Sequence, residues 1–184
     1  MLRFPKFCLA ALGAAALFLG GCSTAPPTGG DRAQLQTDSD AAMSDLKTQD
    51  SSLDNVLSHS YGYAIFPSIG KGAVGVGGAY GQGEVYQGGN LIGYVDMTQA
   101  TAGAAIGGET YAELIVFQTG DALQRFESGQ LTFDADASAV IAKDGAAANA
   151  RWENGIAVFT DVKGGLMANA SIGGQKFNYE PVSH

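Results

Sequence analysis

The chain has 184 residues, 46% of them hydrophobic and 27 of them glycine, with 10 Lys plus Arg against 18 Asp plus Glu and two cysteines. Such a length suits one domain of roughly 100 to 200 residues and excludes a long multidomain enzyme. The acid excess argues against a nucleic-acid partner, which needs clustered cations, and two Cys with two His make neither a disulfide framework nor a zinc set.

Residues 1–21 read as a secretory signal peptide: Arg3 and Lys6 come first, then an apolar run from Cys8 to Leu19, then small residues. The apolar run is shorter than the roughly 20 residues of a spanning helix. Leu19-Gly20-Gly21-Cys22 resembles the bacterial lipobox, in which the cysteine takes a diacylglycerol, the chain is cut before it and the new amino group is acylated. On that reading Cys22 is the lipid attachment site; a plain secretory signal with Cys22 as a free thiol is the alternative. One acyl chain binds a bilayer marginally and two or more hold it firmly, so an acylated Cys22 implies membrane lipid as a partner. Ser23 follows instead of an acid, which by the same resemblance implies the outer membrane of a bacterial envelope.

Residues 22–31, with Pro26, Pro27, Gly29 and Gly30, have the composition of a flexible linker. Loss of residues 1–21 removes two cations and no acid, leaving eight against eighteen, a net charge of −10. It also removes Cys8, so no internal disulfide is available to the exported part. Residues 32–184 are expected to form a single domain.

Between Ala33 and His59, Leu35, Ala42, Met43, Leu46, Leu53, Val56 and Leu57 recur at threes and fours, which predicts two helices with one buried face. Ser51-Ser52-Leu53-Asp54 matches a capping box for the second. A membrane-surface helix is the other reading, but six aspartates against Arg32 and Lys47 do not give the usual basic polar face.

After Tyr61 the period changes to two. Tyr61, Tyr63 and Ile65 alternate, Val74, Val76 and Tyr80 follow, and Gly88-Gly89-Asn90 supplies turn residues of a hairpin. Leu114 to Phe117 is a buried run, Asp121 to Ser128 a short helix stopped by Gly129, and Ala139 to Ile141, Ile156 to Phe159 and Leu166 to Ile172 are strands. Turns are expected at Asp144-Gly145, Lys163 to Gly165 and Gly173-Gly174. The fold class is α+β: N-terminal helices, then a glycine-rich, mainly antiparallel sheet or sandwich with one short inserted helix. Thirteen of the glycines lie between Gly70 and Gly108, a density that requires bulges, coiled strands or close approach of another backbone.

Chemical motifs are weak. Gly70-Lys71-Gly72-Ala73-Val74-Gly75 spells a dinucleotide fingerprint, but its last glycine should open a helix and Gly77, Gly78, Gly81 and Gly83 forbid one. Ser44-x-x-Lys47 and Ser68-x-x-Lys71 lack the partner elements of a penicillin-recognising serine enzyme. His59 and His184 suit a surface or cap better than a triad, and a solvated turn explains Asp134 and Asp136 as well as a metal does. No catalytic residue, metal, cofactor or small-molecule substrate is expected.

Tyr61-Gly62-Tyr63-Ala64-Ile65-Phe66-Pro67-Ser68-Ile69-Gly70-Lys71, followed by Val74 to Gly78 and Gly81 to Gly83, resembles the opening of the SYLF domain family. Glu113 to Phe117 is similar to its next apolar strand, and Gly155 to Thr160 with Lys163 to Ala168 to its closing segment, so the resemblance spans most of residues 40–180. Eukaryotic members bind phosphoinositide-bearing membranes and, in yeast, actin filaments or their regulators; bacterial members are mostly uncharacterised lipoproteins or secreted proteins. The resemblance implies a non-enzymatic lipid-binding module, with Lys71 and Lys163 at glycine-rich turns as candidate contacts for lipid head groups. Two solvated turn lysines are the alternative for that pair. A structural or protein-interaction module, with envelope proteins as partners, is the alternative for the whole. The charge of −10 departs from the expected attraction to an anionic bilayer.

Overall fold

The structure, a computed structural model, describes Pro26 and residues 28–131, 140–141, 145, 147–162 and 174–182, without the side chains of 73–77, 101–107, 140–141, 149 and 162. Helix α1 (Gly29–Gln49) opens it and α2 (Leu53–Ser58) follows. Two long strands come next, β1 (Gly62–Gln87) and β2 (Asn90–Phe117), then α3 (Gly120–Glu127) and the short strands β3 (Val140–Ile141), β4 (Ile156–Val162) and β5 (Gln175–Pro181). The α+β expectation holds.

Helix α1 starts four residues before Ala33, inside the stretch whose composition suits a linker. The Thr28 hydroxyl accepts the Asp31 N–H at 3.1 Å, which satisfies one orphan donor of the first turn and tolerates the two glycines behind it. The capping box expected at Ser51 does not form. Ser52 stands at the N-cap without a side-chain cap, because its N–H and hydroxyl both turn back to the Asp50 carboxylate.

β1 and β2 pair antiparallel from Gly62↔Phe117 down to Gln87↔Asn90, around a turn at Gly88 and Gly89. Both turn glycines have positive φ, 56° and 82°, which suits the hairpin twist and which a side chain would resist. The pairing runs through the glycine ladder, so the several strands read from alternation are two strands. Bulges fall between Phe66 and Ile69, Val74 and Val76, and Val85 and Tyr86; the first accommodates Pro67, which has no N–H for the ladder.

The sheet order is β1-β2-β4-β3 with β5 also on β2. β4 takes the later part of β2 (Tyr111 to Phe117) and β5 the earlier part (Gly93 to Gln99). Only β3 on β4 is parallel among the described pairs. β5 escapes sequence reading, since Phe177 and Tyr179 are its only strong apolar signals. The expected strand at Leu166 to Ile172 lies outside the described residues.

Glycine brings the two ends of β1 together. A Cβ on Gly62 would lie 2.5 Å from the Tyr86 carbonyl oxygen, and one on Gly83 would lie 2.5 Å from that of Ile65. The long hairpin therefore folds over, and alternate residues line an interior: Ala64, Phe66, Val95, Met97, Ile115, Phe117, Val158 and Phe177, closed by Leu123 and Phe126 of α3. The opposite parity, Ile65, Ala112, Leu114, Val116 and Phe159, packs beneath Ala42 and Leu46 of α1 and Leu53 of α2. Burying each large side chain contributes about 1.5 to 3 kcal/mol.

Candidate functional site

Of the sequence-derived site residues, Lys71 lies in β1, opposite Glu109 on β2. Its ammonium pairs with Glu109 Oε1 at 3.1 Å, the two side chains being 21% and 22% exposed. A head-group phosphate must displace a carboxylate before it reaches this cation. Cys22 and Lys163 lie outside the described residues, as do Asp134, Asp136 and His184.

The interior has a polar end that alternation alone did not flag. Tyr111, Glu113, Gln99 and Gln175 are buried, and Glu113 shares parity with the core residues Ile115 and Phe117. Its carboxyl is wholly buried and receives one hydrogen bond, from Gln175 Nε2 to Oε2 at 3.2 Å. Burial pushes this carboxyl up to about 7, only partly countered by that bond. Burial, and then the carboxylates of Glu113 and Glu109, hold the ionisation of the Tyr111 hydroxyl far above its ordinary range, partly offset by the Gln175 amide. Thr160 stands opposite Glu113 in the β2–β4 register and is equally buried.

A second buried carboxyl, Glu84, lies beneath α1. Tyr86 donates to its Oε2 at 3.0 Å, Tyr63 stacks on Tyr86 at 5.0 Å, and Ser39 of α1 is buried nearby. Burial raises Glu84, offset in part by its hydrogen bonds. The guanidinium of Arg32 covers the Tyr94 ring at 5.2 Å, which fixes the start of α1 on the same sheet. On the uncovered part, Tyr80 and Gln82 donate to Asp96 at 3.2 and 3.4 Å, and Tyr80 is 51% exposed.

None of these arrangements pairs a nucleophile with a base. His59 is exposed at the end of α2, its Nδ1 2.8 Å from the Asn55 carbonyl oxygen, and so serves as a cap. Lys47 pairs with Asp54 at 2.8 Å on the helix surface. The Gly70 to Gly75 fingerprint lies within β1, where no helix N-terminus is available for a pyrophosphate. Among the described residues no group of three His, Cys, Asp or Glu could hold a metal. A shallow cleft of about 340 Å³ lies between Tyr61, Gln87 and the outer face of α3, with Asp121 and Glu127 at its wall.

The signal that could have found Glu113 was its parity: a glutamate at an inward position of a run reading Tyr-Ala-Glu-Leu-Ile-Val-Phe must be buried if that run is a strand. Gln175 had no such signal, because only the β2–β5 register brings it to the interior.

Residues 98–180 match the family described as Ysc84, Las17-binding protein actin regulator. The match begins in β2 and runs through α3 and β4 into β5. The Tyr61 to Lys71 phrase lies before it, yet Gly62 to Gly72 pair with Gly108 to Phe117 inside it, so both belong to one sheet. No curated protein matches the chain.

Proposed function

Because residues 98–180 belong to the Ysc84 (SYLF) family, we propose that the chain is a non-enzymatic lipid-binding module, tethered to a bacterial envelope membrane through acylated Cys22. The observation that carries the lipid-binding part is the family match. The tether rests on the lipobox alone. Among the described residues no helix is long and apolar enough to cross a membrane. Lys71, 21% exposed beside Glu109, is the described cation proposed to meet a phosphate head group. Exposed Tyr80, on the same long strand, offers an amphipathic ring of the kind that settles at a bilayer surface.

The test is flotation of residues 22–184 carrying Cys22→Ala, so that neither the apolar segment of residues 1–21 nor an acyl chain contributes. Co-flotation with vesicles of bacterial phospholipid is the expected result. A protein that stays at the bottom of the gradient with every vesicle composition removes the lipid-binding reading and leaves only the tether.

The second reading, a protein-interaction module, is favoured by the family's description, which names Las17 binding. In-cell crosslinking that recovers an envelope protein, from a chain whose Cys22→Ala form does not float, decides for it.

A further inference from the structure

Glu113 and Gln175 belong to different parts of the folded-over hairpin. Glu113 lies where β2 pairs with β1 and β4, opposite Phe66 on one side and Thr160 on the other. Gln175 begins β5, which pairs with the earlier part of β2, opposite Gln99. Their hydrogen bond therefore ties two portions of the sheet across the interior, 62 residues apart in the chain.

Among the described residues, three oxygens around this bond have no hydrogen-bond partner although all are buried: Glu113 Oε1, Gln175 Oε1 and Thr160 Oγ1. A carboxylate only accepts, so an ionised Glu113 would leave a buried charge with one amide N–H as its described donor, beside a second acceptor, the Gln175 carbonyl. A neutral acid carries the donor that is missing. Its O–H can serve the orphan oxygen of the same amide that already donates to Oε2, so that acid and amide are joined by two reciprocal bonds.

We infer that Glu113 is kept as the neutral acid and that its proton is a latch holding the start of β5 to the later part of β2, released when the carboxyl ionises. Burial places that ionisation near neutral pH, at about 7. The groups facing Glu113 do not oppose it. On β2 these are Tyr111, itself held neutral by burial, and Glu109, which is neutralised by Lys71 of β1. β4 contributes the non-ionising Thr160 and β5 the amide of Gln175. Asp161 and Lys176 stand at the opposite parity of β4 and β5, next to residues that face inward. The helices α1 and α2 pack on the other face of β2, against Ala112 and Leu114.

When Glu113 ionises, the orphan acceptors turn from a satisfiable pair into a repulsive one, and the cheapest relief is admission of water at the start of β5. The latch thus opens the interior beside Lys71 and Glu109 as pH rises, while the α1 face remains packed.

Amide hydrogen exchange on the full chain at about pH 6 and about pH 8.5, corrected for the intrinsic pH dependence of exchange, tests this. Protection of residues 175–179 should fall by about tenfold or more at the higher pH, with a smaller fall in 62–66. Glu113→Gln, which is neutral at every pH and retains both a donor and an acceptor, should show equal protection at the two pH values. Equal protection of 175–179 in the unsubstituted chain overturns the latch. So does an equal fall in 175–179 and 62–66, or a fall that persists in Glu113→Gln. The unsubstituted chain decides by itself if that variant does not fold.

Discussion

The Asp50 carboxylate accepts the backbone N–H of Ala147 at 2.6 Å, 97 residues further along the chain. The same side chain accepts Gly145 N–H at 3.0 Å and both the N–H and hydroxyl of Ser52, while Ser52 Oγ accepts Ala148 N–H at 3.0 Å. One aspartate after α1 thus starts α2 and pins the 3-10 turn Ala147–Asn149 over the helix junction. Burial by itself would raise this carboxyl; the bonds from Ser52, Ala147 and Gly145 overcome it and hold the group below its ordinary value of 3.8.

Asp50→Ala leaves those N–H donors unsatisfied and should destabilise the chain by about 2 to 4 kcal/mol in urea unfolding near neutral pH. A depressed carboxyl contributes stability above its unfolded pKa and loses it as pH falls through the folded one. The variant should therefore lose less on acidification below about pH 4 than the unsubstituted chain does.

The glycines of β1 separate by space. On Gly83 a Cβ would meet the Ile65 carbonyl at 2.5 Å and the Phe66 ring at 2.7 Å, whereas on Gly70 it meets nothing within 4 Å. Gly83→Ala should cost about 1 to 3 kcal/mol or more by overpacking. Gly70→Ala should be neutral or stabilise by a few tenths to about 1 kcal/mol, by restricting the unfolded chain. Equal midpoints for the two variants in urea would show that the ends of β1 do not approach as described.

Charge competition at Lys71 yields opposite changes from its two partners. The Lys71–Glu109 pair is partly exposed and should contribute no more than about 1 kcal/mol, so neither substitution should alter folding much. With vesicles containing anionic phospholipid, Glu109→Gln should raise co-flotation and Lys71→Ala should lower it. Unchanged flotation in both removes Lys71 from the lipid contact.

Glu84, Asp96, Glu113 and Glu127 all have carboxyls raised chiefly by burial. Raised acids bind protons more tightly in the folded state, so their contribution is complete below the unfolded pKa and is lost as pH rises through the folded one. Glu113, moving from 4.5 to about 7, should alone make the chain on the order of 3 kcal/mol less stable above pH 7 than near pH 4.5. Urea midpoints that rise between pH 5 and pH 8 would contradict this sign.

Anchoring can be separated from all of these. Cys22→Ala should abolish acylation and stall cleavage before residue 22, read by mass spectrometry as loss of the acyl mass and retention of residues 1–21. A mass changed only by the substitution itself would refute the lipobox reading.

The sequence by itself determined the α+β class, the hairpin turn at Gly88-Gly89, the limits of α3 to within a residue, and the family phrase from Tyr61 to Lys71. Each of these depends on chemistry within a few neighbouring residues: hydrophobic period, positive-φ turns, a stop at Gly129 with φ of 67°. It also showed that glycine density needed a geometric cause, without saying where. Only the tertiary structure decided that β1 folds onto itself at Gly62 and Gly83, that Lys71 is matched by Glu109, that Asp50 rather than Ser51 organises α2, and that Gln175 meets Glu113. Those pairings join residues that are distant in the chain. They are set by backbone packing and strand register, which local periodicity cannot encode.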